Sequence, residues 1–123
     1  MTKARKRILV VENDQASGET LRDLLVEMGF DVHLVSDGES AVQDMAKFHP
    51  SIVLMDVGLP GIDGYETTRQ IRKIEVGRKA LIVALTGFGQ IQDIKKAADC
   101  GMDNFLTKPV SPKELLQGLA RYD

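Results

Sequence analysis

Four short, unbroken apolar runs constrain the fold of this chain more than any other feature. They lie at residues 8–11, 51–55, 80–85 and 105–107. Continuous runs of this length are typical of strands buried on both faces of a parallel sheet, whereas a strand with one wet face alternates apolar and polar residues. We therefore predict a parallel sheet that is covered by helices on both sides.

Segments with helical spacing lie between these runs. Ser111-Pro112-Lys113-Glu114 has the pattern of a capping box that starts the last helix, and Gly29 is suited to end the first. We predict an α/β fold with a doubly wound, five-stranded parallel sheet in the common flavodoxin-like order 2-1-3-4-5, with one strand around His33. Five helices are expected to alternate with the strands, around Leu21–Met28, Ala41–Met45, Ile71–Ile74, Ile91–Ala98 and Leu115–Leu119.

Length and composition favour one domain. A chain of 123 residues with 43% hydrophobic content provides one core but not a second. Its net charge of -2 indicates no general affinity for nucleic acid or for an acidic membrane. The single cysteine, Cys100, excludes an intramolecular disulfide and fits a small buried helix residue. No apolar stretch approaches the roughly 20 residues that span a bilayer, so we predict a cytoplasmic protein with a leader at residues 1–7 and one domain at residues 8–123.

Polar side chains follow the predicted strands at the points where those strands end. Parallel strands place their carboxyl ends at one edge of the sheet, and the order 2-1-3-4-5 makes strands 1 and 3 neighbours at the topological switch point. Glu12, Asn13 and Asp56 are therefore expected to meet there. Thr86 and Lys108 follow strands 4 and 5 and should reach the same edge.

These side chains suit phosphoryl transfer. Carboxylates so close together repel one another unless a cation neutralises them, and Mg²⁺ prefers such oxygen ligands. Lys108 adds a mobile positive charge, and Thr86 adds a hydroxyl donor. Since a protein that transfers a phosphoryl group mainly positions the reacting groups and neutralises charge, we predict that Asp56 is a nucleophile that forms an aspartyl phosphate.

Four stretches of the chain resemble the response-regulator receiver domain of two-component signalling, most of all the receivers attached to hybrid sensor histidine kinases. They are ILVVE at 8–12, VLMDVGLPGIDG at 53–64, ALTG at 84–87 and FLTKP at 105–109. The resemblance implies that Asp56 is the phosphoacceptor and that Lys108 pairs with the phosphoryl group. It also implies a switch, formed by Thr86 and Phe105, that remodels the face made by the fourth helix, the fifth strand and the fifth helix.

The resemblance further implies a metal site and a set of partners. The peptide bond between Lys108 and Pro109 is expected to be cis. The implied partners are a histidine kinase or histidine phosphotransfer protein, which in this family grips the first helix at Gln15 to Met28, and a downstream protein or attached domain. A phosphorylation-dependent dimer is a further option, and no direct contact with nucleic acid or membrane is expected. The implied Mg²⁺ ligands are Glu12, Asn13, Asp56 and the backbone carbonyl of Gly58.

One departure from the family pattern leaves alternatives open. The family carries acids at both positions after the first strand, whereas this chain has Glu12-Asn13, which should weaken Mg²⁺ binding. Asp14 is expected to cap the first helix rather than to replace the missing acid. A pseudo-receiver that signals without phosphorylation is therefore the alternative function. A phosphatase of the haloacid dehalogenase type is disfavoured, because Gly58 stands where that family needs a second aspartate.

The expected chemistry is limited to the protein itself. The chain should catalyse only its own phosphorylation and dephosphorylation, and so is not expected to be an enzyme for other substrates. Gly58 and Phe88 occupy the two positions that flank the path of attacking water in this family, and neither side chain can orient a water molecule. We therefore expect a long-lived aspartyl phosphate. The sequence does not decide between a stand-alone regulator and a domain of a hybrid kinase.

Overall fold

A computed structural model describes residues 6–87 and 94–119 of the chain. Five strands form one parallel sheet in the order β2-β1-β3-β4-β5, which confirms the predicted topology. The first strand begins at Arg7, one residue earlier than the predicted start of the domain. The strands are β1 Arg7–Val11, β2 Asp31–Val35, β3 Ile52–Asp56, β4 Leu81–Thr86 and β5 Asn104–Thr107.

The described residues contain six helices, so the prediction of five was wrong by one short helix. The predicted third helix ends at Lys73, because Ile74 adopts an extended backbone with φ -86° and ψ 138°. A separate four-residue helix follows, and the fourth and fifth predicted helices become α5 and α6. Ile91, which was assigned to the fourth, lies outside the described residues. The helices are α1 Gln15–Glu27, α2 Gly38–Phe48, α3 Gly64–Lys73, α4 Glu75–Arg78, α5 Ile94–Cys100 and α6 Pro112–Leu119.

Two apolar layers sandwich the sheet. Alternate side chains of each central strand point to opposite faces, so Leu9 and Val53 belong to one layer while Ile8 and Ile52 belong to the other. Helices α2 and α3 cover the first layer, and α1 and α6 cover the second. Cys100, at the end of α5, is buried in the first layer as predicted, and its burial raises the pKa of the thiol. Both faces of β1, β3 and β4 are thus dry, which explains their unbroken apolar sequences.

Helix ends follow the chemistry of capping. The Asp14 carboxylate accepts a hydrogen bond of 3.0 Å from the backbone N–H of Ser17, so Asp14 caps α1 as predicted. Gly29, with φ 99°, follows the end of α1 in the left-handed region that glycine tolerates. The hydroxyl of Ser111 accepts a hydrogen bond of 3.2 Å from the N–H of Glu114, which confirms the capping box of α6. No helix in the described part of the chain is both long and apolar enough to cross a membrane.

A guanidinium clamp joins several elements at the amino-terminal edge of β4 and β5. Arg72, near the end of α3, donates hydrogen bonds to the carbonyls of Gly101 (2.6 Å), Gly77 (2.7 Å) and Ala80 (2.6 Å). It also pairs at 2.8 Å with the Asp103 carboxylate, which accepts a bond of 2.9 Å from the N–H of Ile82. One side chain therefore ties α3 to the segments that precede β4 and β5, at the edge opposite to the strand carboxyl ends.

Candidate functional site

The topology brings the predicted site residues to one edge of the sheet. β1 lies beside β3 with Val11 opposite Met55, so the next residues along, Glu12 and Asp56, emerge side by side. β4 lies on the other side of β3, and β5 lies beyond it with Thr86 opposite Thr107. All of these side chains therefore arise from adjacent carboxyl ends, as expected from the strand order.

The Lys108 ammonium bridges two carboxylates. Its Nζ lies 2.7 Å from Oε1 of Glu12 and 3.2 Å from Oδ1 of Asp56. The side chains of Glu12 and Asp56 are only 4% and 10% exposed, whereas Lys108 is 32% exposed and approaches from the solvent side. The pairing of Lys108 with Asp56 was predicted, but the shorter contact with Glu12 was not. The site thus carries a net charge of about -1 when all three groups are ionised.

Burial and pairing with a neighbouring charge shift the pKa values of Glu12 and Lys108 in opposite directions. Burial raises the pKa of the Glu12 carboxyl, and the nearby Asp56 raises it further. Hydrogen bonds from Lys108 and from the N–H of Asp14, at 3.1 Å, lower the pKa but do not cancel this rise. For Lys108, burial lowers the pKa, but the contacts with Glu12 and Asp56 outweigh it and leave the pKa above its ordinary value. The ammonium is therefore a permanent charge of the site at neutral pH.

Backbone contacts hold Asp56 at the tip of β3. The N–H of Gly58 donates a hydrogen bond of 3.0 Å to Oδ1 of Asp56, the oxygen that also contacts Lys108. Helix α3 begins very close to this turn, since a Cβ atom placed on Gly64 would lie 2.7 Å from Cα of Val57 and in collision with the carbonyl oxygen of Asp56. The position of the Asp56 carboxylate therefore depends on the contact between α3 and the end of β3.

Thr86 and Phe105 connect the site to β5. The hydroxyl of Thr86, which is buried, donates to the carbonyl of Leu106 at 3.5 Å, and its carbonyl accepts a bond of 2.7 Å from the N–H of Lys108. Phe105 is half-buried and packs against the apolar layer on the side of α2 and α3. The Lys108–Pro109 peptide bond is cis, as expected from the resemblance. The two proposed switch residues thus lie on the adjacent strands β4 and β5, and Lys108 directly follows β5.

The oxygen donors at this edge of the sheet suit a hard cation, but they carry less negative charge than the family pattern provides. Both carboxylates contact the same ammonium nitrogen, so a positive ion already lies between their oxygens. Asn13 is exposed and follows Glu12 directly, and Asp14 is engaged as the cap of α1. Within residues 6–87 and 94–119, no three acidic, histidine or cysteine side chains come together to hold a metal. A divalent ion would therefore have two carboxylates, aided by the Asn13 amide and the Gly58 carbonyl.

A groove beside the site was only partly anticipated from the sequence. Its volume is about 450 Å³, and it runs between α1 and the loop that follows β5. The face of α1 was expected to receive partners, but the opposite wall of Pro109 and Val110 was not, because only the fold brings that loop to α1. The lining residues are Glu12, Ala16, Ser17, Thr20, Leu21, Leu24, Leu85, Lys108, Pro109 and Val110.

Fold and site together define a class of protein: a doubly wound α/β domain with an acid–lysine site at the switch point between β1 and β3. The family model of the response regulator receiver domain matches residues 8–120. The chain therefore belongs to the response regulator receiver domain family.

Individual relatives agree with this assignment. Response regulator MprA of Mycolicibacterium vanbaalenii is 38% identical over 110 residues, which cover 89% of this chain and 47% of that protein. The receiver domain of sensor histidine kinase PA1611 from Pseudomonas aeruginosa, solved with a magnesium ion in its active-site cleft, has a TM-score of 0.88 and 36% identity, with coverage of 97% and 98%. Chemotaxis protein CheY4 of Vibrio cholerae shares the fold, with a TM-score of 0.91 at 24% identity, with coverage of 96% and 98%.

The chain spans about half the length of the first curated relatives that it matches, between 46% and 52%. Those proteins therefore carry sequence beyond the part that resembles this domain.

Proposed function

We propose that this domain takes a phosphoryl group from a histidine kinase or a histidine phosphotransfer protein onto Asp56, in two-component or phosphorelay signalling in the cytoplasm. The observation that carries the proposal is the contact of 3.2 Å between the Lys108 ammonium and the Asp56 carboxylate at the end of β3. A carboxylate held by a backbone N–H and a mobile amine has the two features that this transfer requires, which are a fixed nucleophile and a nearby positive charge.

The transfer is a substitution at phosphorus. A carboxylate oxygen of Asp56 attacks the phosphorus of a phosphohistidine, the new O–P bond forms, and the N–P bond breaks with its electron pair returning to the imidazole. Lys108 neutralises charge on the phosphoryl oxygens, and the Thr86 hydroxyl is a donor on the neighbouring strand. Mg²⁺, when bound by Glu12, Asn13, Asp56 and the Gly58 carbonyl, adds further charge neutralisation. We expect the domain to catalyse its own phosphorylation and dephosphorylation and no reaction on another substrate.

The groove along α1 suits the phosphodonor protein. Its apolar floor includes Leu21, Leu24 and Val110, and Lys108 and Glu12 lie at its site end. A helix of the donor that buries its apolar face on this floor would deliver a histidine toward Asp56. The proposal therefore assigns α1 and the loop after β5 to the kinase or phosphotransfer partner.

The proposed conformational switch involves β5. Movement of Thr86 toward a phosphoryl group on Asp56 would leave its present contact with the Leu106 carbonyl and alter the surroundings of Phe105. The face formed by α5, β5 and α6 then changes shape for a downstream protein, an attached domain or a second copy. This is the switch that the family resemblance implies.

Intact mass tests the proposal directly. The protein is incubated with acetyl phosphate, with and without Mg²⁺, alongside Asp56→Asn and the matched control Asp63→Asn. Asp63 caps α3 in the same loop, and asparagine keeps a capping side chain there. The expected result is one added phosphoryl group that requires Asp56 and Mg²⁺ but not Asp63.

The pseudo-receiver is the second candidate, and the exposed Asn13 favours it. With two carboxylates instead of three, the metal site has less charge than the family pattern provides. A folded protein that gains no phosphoryl group under any of these conditions would refute phosphotransfer and put the pseudo-receiver first.

A further inference from the structure

We propose that the contact between Lys96 of α5 and the ring of Tyr65 on α3 is a latch that opposes movement of the face formed by α5, β5 and α6. The proposal rests on the proposed function, because the switch that moves this face is part of it, and it names a contact that regulates that switch. The latch joins two helices, so its strength can be measured without phosphorylation.

The latch is a cation held over an aromatic ring. The Nζ of Lys96 lies 4.5 Å from the centroid of the Tyr65 ring, within the distance of about 6 Å at which the face of a ring attracts an ammonium. Tyr65 is only 7% exposed, so its ring is fixed in the apolar layer, whereas Lys96 is exposed. A buried ring on one helix therefore binds a mobile charge on the other.

Few other side chains hold α5 in place. The structure describes the side chains of α5 at residues 95–100, of which Ala97 is half-buried, Cys100 is buried and the other four are exposed. Ala97 and Cys100 pack in the apolar layer that includes Tyr65. Both are small and bury little apolar area, and elements with few buried apolar contacts open most readily. One additional contact therefore makes up a substantial part of what retains α5.

Tyr65 also borders the loop that follows Asp56. It is the second residue of α3, and the N–H of Gly64 before it donates a hydrogen bond of 3.3 Å to the carbonyl of Val57. Tyr65 lies in the same apolar cluster as Val57, and Phe105 of β5 packs against that cluster. The latch thus joins α5 to the layer that contains both the loop after Asp56 and the aromatic residue of the proposed switch.

The direction of the effect follows from linkage. Movement of α5 away from α3 separates the ammonium from the ring, so the contact stabilises the arrangement in which α5 packs on α3. A contact present in only one of two arrangements shifts the equilibrium between them toward that arrangement. Loss of an exposed cation–π contact should therefore raise the population of the moved arrangement by about two- to fivefold.

Hydrogen exchange of the α5 amides, followed by NMR without Mg²⁺ or a phosphodonor, tests the latch. Exchange reports how often α5 leaves α3, because a helix of seven residues is unstable in water without packing. Lys96→Gln removes the charge, and the control Lys95→Gln removes the same charge from the neighbouring exposed position. Exchange at Ala98, Asp99 and Cys100 is expected to be about two- to fivefold faster in Lys96→Gln than in Lys95→Gln. Lys96→Arg should keep the wild-type protection, since a guanidinium also binds the face of a ring.

A double-mutant cycle shows whether Tyr65 is the partner. In the Tyr65→Leu background, which keeps an apolar side chain but no ring, Lys96→Gln is expected to accelerate exchange no more than Lys95→Gln does. The proposal is overturned if Lys96→Gln exchanges no faster than Lys95→Gln, or if its full effect persists in Tyr65→Leu. Should circular dichroism show that Tyr65→Leu does not fold, the comparison of Lys96→Gln with Lys96→Arg decides, and equal exchange in those two variants overturns the proposal.

The initial rate of phosphorylation by acetyl phosphate, followed by intact mass, connects the latch to the switch. Lys96→Gln is expected to gain its phosphoryl group about two- to fivefold faster than Lys95→Gln, because the arrangement that accepts it is more populated. Equal rates in the two variants would overturn the proposal that the latch opposes the switch. A wild type that gains no phosphoryl group would refute the proposed function, while exchange of the α5 amides would still decide whether the latch exists.

Discussion

Gly64→Ala should reveal how closely α3 supports the end of β3, where the proposed phosphoacceptor Asp56 lies. The added Cβ would lie 2.7 Å from Cα of Val57 and would collide with the carbonyl oxygen of Asp56, both of which are backbone atoms that cannot rotate away. Overpacking of this kind costs about 1–3 kcal/mol, and contact with backbone places the cost near 3. The lower chain entropy of alanine in the unfolded state returns about 0.4–1 kcal/mol. The expected net loss in the free energy of unfolding is therefore about 2 kcal/mol.

Urea denaturation followed by far-ultraviolet circular dichroism measures this loss. With a slope of about 1–3 kcal/mol per molar urea for a small protein, the midpoint should fall by about 1 M. Gly58→Ala is the matched control in the same loop, because its Cβ would meet only Oδ1 of Asp56, at the ordinary distance of 3.6 Å. A midpoint for Gly64→Ala equal to that of Gly58→Ala would refute the argument that α3 is packed against the backbone of Asp56.

Four further changes test the site and the fold. Asn13→Asp should tighten Mg²⁺ binding at least about tenfold in calorimetry, because it adds a unit charge next to a divalent ion. Phe88 lies outside the described residues, and the family resemblance implies that it flanks the path of attacking water; Phe88→Glu should therefore shorten the half-life of the phosphorylated protein, measured by intact mass over time, because a carboxylate can orient that water. The pKa of Lys108 is raised above its ordinary value of about 10.4, so its stabilising pairing is present in full below that pH and is lost as pH rises through the raised value. The urea midpoint of the wild type should therefore fall in this alkaline range more than that of Lys108→Met. His49 adopts a left-handed backbone with φ 55°, and His49→Gly should raise the urea midpoint through a gain of about 0.5 kcal/mol.

Each of these expectations has a contrary result. Unchanged Mg²⁺ affinity in Asn13→Asp would mean that position 13 does not face the metal. An unchanged half-life of the phosphorylated protein in Phe88→Glu would contradict the expectation that the side chain at position 88 controls the attack of water on the aspartyl phosphate. Parallel alkaline curves for wild type and Lys108→Met would show that the Lys108 pairs contribute nothing to folding. A lower midpoint for His49→Gly would mean that the histidine side chain contributes more than its backbone strain costs.

The sheet and the meeting of its polar ends were predictable because both depend on patterns that local sequence carries. Unbroken apolar runs mark strands that are dry on both faces, and parallel pairing then collects Glu12, Asp56, Thr86 and Lys108 at one edge. Capping by Asp14 followed from side-chain chemistry within one turn of helix. These features need no knowledge of how distant side chains are oriented.

Other features could not be predicted, since they depend on distances that the sequence does not encode. Ile74 has the right spacing to continue α3, but the chain turns there and buries Gly77 against the carbonyl of Ile71. The preference of Lys108 for Glu12 over Asp56 is a difference of 0.5 Å between two contacts, 2.7 Å against 3.2 Å. The hydrogen bonds of Arg72 to carbonyls likewise required the loops to be in place.

The hydrogen bonds of Arg72 affect how a loss-of-function substitution at this position should be interpreted in a genetic screen. Substitution of Arg72 would remove the guanidinium donor from three carbonyls and leave the Asp103 carboxylate with the N–H of Ile82, far from the carboxyl edge where Asp56 lies. Loss of one or two kcal/mol of stability is enough to change the abundance of a protein in the cell several-fold. A signalling-defective allele at this position would therefore reflect fewer folded molecules per cell, while the site around Asp56 stayed intact in each surviving molecule.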